Sequence, residues 1–196
     1  MERARDIFQE KTLQVFRTKL GFDEEADVAD DVWRSLEPLL RKSRTDWTVF
    51  WRQLTYVAKD FPQLDSSDFE DMMVVLEDIA DDERSDCNPF YEALTPELRK
   101  QWILWLKQWR NSLEVAGADG KDVYKKMKST NPKFVLREWM LVDAYTDAGM
   151  GDESSLQELY QLIQEPYEEG SDEQIRKFYR RAPERALTAG GTAFMS

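Results

Sequence analysis

The stretch Ser43-Arg-Thr-Asp-Trp-Thr-Val-Phe-Trp-Arg-Gln-Leu-Thr-Tyr-Val-Ala58 decides the fold class. Trp47, Phe50, Trp51, Leu54, Val57 and Ala58 recur at i, i+3, i+4 and i+7, the spacing that gathers apolar side chains on one face of an α-helix. Ser43 with Asp46 three residues on has the form of a capping box and predicts the helix start.

Working outward, the same period recurs. Phe69, Met72, Met73, Leu76 and Ile79 form a second stripe behind the capping candidates Ser66 and Ser67. Leu98, Trp102, Leu106, Trp109 and Leu113 form a third, opened by Thr95-Pro96. Weaker patterns are Leu13, Phe16 and Leu20 before a stop at Gly21; Val28, Val32, Leu36 and Leu39 with a kink at Pro38; Leu136 with Met140; and Leu156, Leu159, Tyr160 and Ile163 before Pro166. These patterns predict an all-α fold of about seven helices over residues 1–166, since no strand-like alternation runs for any length. From Tyr167 the periodicity dissolves, and residues 167–196 read as an irregular C-terminal tail.

Composition removes several function classes. The chain has 27 Lys and Arg against 39 Asp and Glu, a net charge of -12 that repels nucleic-acid backbones and anionic lipid surfaces. No apolar run has the length of a membrane span, and MERARDIFQEK lacks the apolar core of a signal peptide. The expected partners therefore include neither nucleic acid nor membrane. With no histidine and a single cysteine, Ser-His-Asp and Cys-His nucleophile systems and His-containing zinc sites are all excluded. Cys87 sits among acidic neighbours that raise a thiol pKa, so it reads as inert.

The remaining constellations have ordinary explanations. Asp23-Glu24-Glu25, Asp30-Asp31 and Asp81-Asp82-Glu83 lack the register and glycine of a calcium loop, and read as solvated loops and helix N-termini. Gly117-Ala-Asp-Gly120-Lys121 lacks the spacing of a phosphate loop and reads as a helix-ending turn. Trp47, Trp51, Trp102, Trp105 and Trp109 read mainly as packing residues, with Trp105 off its helix's stripe, either covering a neighbour or facing a part absent from the sequence. Lys121, Lys125, Lys126, Lys128, Lys133 and Arg137 form one cationic segment, read as a solvated face paired with the acidic remainder, with an anion site at the following helix start as the other reading. That start is placed at Asn131-Pro132, Asn131 as N-cap and Pro132 as first helical residue.

The segment Asn131-Pro-Lys-Phe-Val-Leu-Arg-Glu-Trp139 asks for more than a helix start. It resembles the Asn-Pro-x-x-Val-Leu-Arg-Asn-Trp/Tyr signature of the selenoprotein O (YdiU, UPF0061) family. Other landmarks follow in order: Lys19-Leu-Gly-Phe22, Ser43 to Phe50, Trp105-Leu-Lys-Gln-Trp-Arg110, Gly151-Asp152 and Glu165-Pro-Tyr167. The resemblance implies the C-terminal helical part of a protein-kinase-like fold whose full-length members are protein adenylyltransferases, moving AMP from ATP to protein hydroxyl groups with Mg²⁺ or Mn²⁺. It implies that the kinase-like core, with its ATP and metal ligands, belongs to a missing N-terminal region and is this chain's partner. Protein substrates belong to the full-length family, in mitochondria for eukaryotic members and the cytoplasm for bacterial ones. No catalytic, cofactor or metal residue is therefore nominated, and Asn131, Pro132, Arg137 and Trp139 stand as motif positions of unassigned role.

Two departures stand out. Glu138 replaces the family's Asn, exchanging an amide for an acceptor-only carboxylate. The chain ends at Ser196, where the family continues with Cys or selenocysteine and Ser-Ser, so a UGA codon read as a stop is the expectation. The Trp-heavy stripes are expected to lie against the absent core. A non-enzymatic all-helical interaction module is the alternative function.

Overall fold

The structure, a computed structural model, describes residues 2–59, 61, 69–77, 87–184 and 186. Among them are nine helices: α1 (Glu2–Lys19), α2 (Val28–Lys42), α3 (Trp47–Lys59), α4 (Phe69–Glu77), α5 (Pro96–Val115), α6 (Gly120–Thr130), α7 (Glu138–Gly149), α8 (Ser154–Gln164) and α9 (Asp172–Phe178). The described residues contain no strand, only one isolated antiparallel bridge between Thr45 and Phe90. The all-helical class is as the periodicity requires. The count exceeds seven by α6 and α9.

Helix α3 is the axis. It packs on α4 and α6, while α2 packs on α5 and α1 reaches α2 and α6. Its Phe50, Trp51, Leu54, Val57 and Ala58 belong to a first core with residues from Leu20 to Met127. Val49 faces a second core built from Phe134, Trp139, Met140, Leu159, Leu162, Ile175 and Phe178. Because both sides are covered, Arg52, Gln53 and Thr55, polar positions off the apolar stripe, are buried as well.

The tryptophan stripe of α5 closes on the chain itself. Trp102, Trp105 and Trp109 are buried, and the rings of Trp105 and Trp109 stack with centroids 5.8 Å apart. Each indole also donates a hydrogen bond: Trp102 to the Ser43 hydroxyl at 2.8 Å, Trp105 to the Val32 carbonyl at 3.1 Å and Trp109 to the Leu20 carbonyl at 2.9 Å. An apolar body with one polar edge fits these sites: Trp109 and Trp102 reach the C-terminal ends of α1 and α2, where carbonyls lack helical partners, and Trp105 reaches a carbonyl in the body of α2. Trp105 thus covers a neighbour, α2. Trp51 and Trp139 are buried too, and Trp47 stays 44 % exposed. The stripe therefore packs inward and not toward an outside partner.

Several local readings change. Ser43 is the C-cap of α2, and Asp46 caps α3 by accepting from the Val49 amide at 3.1 Å. Helix α2 continues through Pro38 to Lys42. Gly21 and Gly117 do end helices, with φ of 87° and 70°. The irregular tail predicted after residue 166 contains α9, started by a capping box between Ser171 and Gln174, and its Ile175, Phe178 and Tyr179 are buried. Ser66, Ser67, Ile79 and the run Asp81-Asp82-Glu83 lie outside the described residues.

Candidate functional site: the joint between the two cores

Asn131 begins no helix. It is the C-cap of α6, fully buried, and α7 starts seven residues later at Glu138 with Arg137 as its N-cap. The Asn131 amide donates to the Lys19 carbonyl at 2.9 Å and the Thr55 hydroxyl at 3.2 Å, while its oxygen accepts from Lys19 Nζ at 3.2 Å. One side chain therefore ties α1, α3 and the end of α6 together. With no helix opening at Pro132, the anion site imagined there has no physical basis.

Two residues after Asn131, Lys133 is buried and donates to Glu169 Oε2 at 3.1 Å. Arg52, with no exposed side-chain surface, donates to Glu169 Oε1 at 2.5 Å and to the carbonyls of Tyr167 at 3.0 Å and Asn131 at 3.1 Å. Tyr56 completes the group through a 2.6 Å bond to Glu169 Oε2. Burial pushes the Glu169 carboxyl up, but the Tyr56 hydrogen bond and the charges of Arg52 and Lys133 outweigh it and draw it down to about 2. Burial also lowers the Lys133 ammonium from its ordinary range. Gly170 makes the turn possible: its φ is 71°, and a Cβ there would lie 2.8 Å from Phe134 Cζ.

The third tie is Arg137. Its guanidinium grips Asp46 with bonds of 2.6 and 3.2 Å and donates to the Arg180 carbonyl at 3.1 Å. Both side chains are buried, at 4 % and 1 % exposure. Asp46 further accepts from the Tyr91 hydroxyl at 2.9 Å and the Ala182 amide at 3.3 Å. Burial, then the Asp46 charge, pushes the Tyr91 phenol up to about 12. Trp139 is buried beneath the Arg180 guanidinium, 4.9 Å from its ring centroid. Pro132 is partly exposed between these anchors.

The cationic segment divides accordingly. Lys126 pairs with Asp23, Lys125 with Asp122 at 3.8 Å and Lys128 with Glu169 at 3.8 Å, as a solvated basic face would. Lys133 and Arg137 instead enter the interior. Of the acidic runs, Asp31 pairs with Arg34 at the surface, whereas Asp30 is largely buried and grips Arg17 through two bonds of 2.7 and 2.8 Å. Glu138 lies in the first turn of α7, where a carboxylate meets the positive end of the helix dipole. Cys87 is buried, its sulfur 3.1 Å from the Tyr179 carbonyl. Periodicity could not single out Asp46, Arg52, Tyr56 or Glu169, because nothing local marks a polar residue for burial.

What this site does is hold a structure. Three motif positions, Asn131, Arg137 and Trp139, are engaged within the chain, and they fasten the second core to α3. A helical bundle closed by such a joint is an architectural element, and comparison with known proteins says of which class. The chain belongs to the family described as protein adenylyltransferase SelO, which matches residues 1–165. Among curated relatives it is similar to protein nucleotidyltransferase YdiU of Flavobacterium johnsoniae, 28% identical over 198 residues, covering 100% of the chain and 34% of that protein. YdiU of Aromatoleum aromaticum is 25% identical over 190 residues, 97% of the chain and 32% of the relative. YdiU of Cupriavidus metallidurans is 28% identical over 172 residues, 86% and 27% respectively. The chain thus spans about a third of the length of these relatives.

Proposed function

We propose that the chain is the C-terminal helical part of a protein adenylyltransferase that moves AMP from ATP to protein hydroxyl groups, and that it supports a kinase-like catalytic core supplied by the rest of the protein. One observation carries this reading: Asn131, Lys133 and Arg137 of the motif hydrogen-bond to partners inside the chain and Trp139 is buried, which suits a scaffold and not a substrate pocket. The threefold greater length of the relatives supports it. ATP and Mg²⁺ or Mn²⁺ belong to that full-length protein. Among the described residues no three of His, Cys, Asp or Glu group so as to hold a metal, and no transfer step is assigned to this chain.

The test uses ATP labelled on its α-phosphate. The isolated chain should label no protein, and the Flavobacterium relative should lose stability and labelling when its matching third is deleted. Label transfer by the chain alone, or an unimpaired truncated relative, would contradict the proposal. The second reading, a helical interaction module, draws on the outer face of α7 and α8, where Val142, Tyr145, Leu156 and Tyr160 are exposed. A partner bound there by a protein without any catalytic core would favour it.

A further inference from the structure

Helix α1 carries two apolar stripes, and the chain covers one of them. Phe16 stacks on the Trp33 ring with centroids 3.5 Å apart, and Leu20 is fully buried in the first core. Ala4, Ile7, Phe8 and Val15 recur at i, i+3, i+4 and i+11, with the aliphatic stem of Lys11 at i+7 between them. At 3.6 residues per turn this second stripe lies about 140° round the helix from the first. Ile7, Phe8 and Val15 are 51%, 71% and 52% exposed, and every residue from 3 to 11 is exposed.

The packing of α1 on α2 and α6 therefore uses its second half. Its first half draws little from tertiary contact, the source of most helical stability in proteins. What the bare stripe can hold is set by its size. Three large apolar side chains within about two and a half turns fall well short of the roughly 20–30 residues a side that a free protein partner or a second copy of the chain requires. A partner joined to the same polypeptide requires far less, because a short tether supplies an effective concentration of about millimolar. Such a partner is at hand in the family: the chain covers 34% and 32% of its relatives, so most of their polypeptide lies outside it.

We propose, resting on the function given above, that the stripe of Ala4, Ile7, Phe8 and Val15 docks in an apolar groove of the catalytic core of the same polypeptide, as a helix face lies in a groove. On that reading the core's chain runs into α1, which places the stripe within reach of a short connection. The tryptophan faces of α3 and α5 are closed inside the chain, whereas α1 offers an uncovered face at the side where the core joins.

Hydrogen exchange on this chain and on the intact Flavobacterium relative tests it. Amides 7–11 should exchange fast in the chain, and the matching amides of the relative about tenfold or more slower. Serine substitutions at the relative's positions matching Ile7 and Phe8 should return fast exchange there. In the chain alone, Ile7→Ser with Phe8→Ser should leave the urea midpoint and the sedimenting mass unchanged. A lowered midpoint would mean that the stripe already packs within the chain, and self-association lost in the variant would make a second copy the occupant; either result overturns the docking. Slow exchange in the relative that survives the serine substitutions does so too. Equally fast exchange in both proteins, with slowing at the helices matching α7 and α8 instead, overturns the stripe and leaves the proposed function standing. Slowing on no face overturns both.

Discussion

Arg137 and Asp46, 91 positions apart, meet in the interior through bonds of 2.6 and 3.2 Å and join the loop before α7 to the start of α3. Their pairing also collects the Tyr91 hydroxyl, the Ala182 amide and the Arg180 carbonyl, so one contact fixes four segments of chain.

Breaking this pair on one side should be severe. Arg137→Met leaves the Asp46 carboxylate buried without its cation, and we expect a loss of about 3–5 kcal/mol in urea unfolding. Adding Asp46→Asn should restore part of it, because the neutral amide leaves no unpaired buried charge while its one oxygen still accepts from the Val49 amide and its NH2 can donate to the Tyr91 hydroxyl oxygen. Additive losses in the double variant would show that the two side chains do not act as a pair.

Asn131 offers a choice between two physical roles. Were it a helix N-cap, Asn131→Ser would be nearly neutral. As a buried amide bridging Lys19 and Thr55, it cannot be replaced by a hydroxyl that reaches only one partner, and Ser should destabilise by about 1–3 kcal/mol, much as Ala does. Thermal or denaturant midpoints of the two variants decide the matter.

Lys19 gives a pH signature of the same joint. Burial lowers its ammonium from 10.5 to about 8, so the unfolded chain holds a proton that the folded chain releases between those values. Stability from this group therefore rises as pH goes from about 8 toward 10.5. Above pH 10 Tyr56 and Tyr91, both raised when folded, pull the other way. The difference in unfolding free energy between the wild type and Lys19→Met across pH 7 to 10 isolates the lysine; a flat difference would remove its buried, proton-releasing role.

The helices were legible where their apolar spacing was dense, as in α3 and α5. Helix α6 escaped because only Val123 and Met127 are buried on it, amid lysines that read as surface. The Asp119 cap was its visible sign. Helix α9 escaped because its apolar positions, Ile175, Phe178 and Tyr179, span a single turn amid charged residues, although Ser171-x-x-Gln174 has the form of a capping box. The motif drew attention to Asn131 and Arg137 but concealed their work. Local rules assign an Asn-Pro pair to a helix start, whereas partners 91 and 112 residues distant give these side chains their roles. Glu169 had no sequence sign at all, since its value lies in Arg52, Tyr56 and Lys133 arriving from elsewhere.

Hydrogen exchange on the native chain, wild type against Arg137→Met, tests most directly the claim that the motif joins two cores. Amides of α8 and α9 should lose protection in the variant while those of α2 and α5 keep theirs. Uniform loss across all helices, or no loss in α8 and α9, would contradict it.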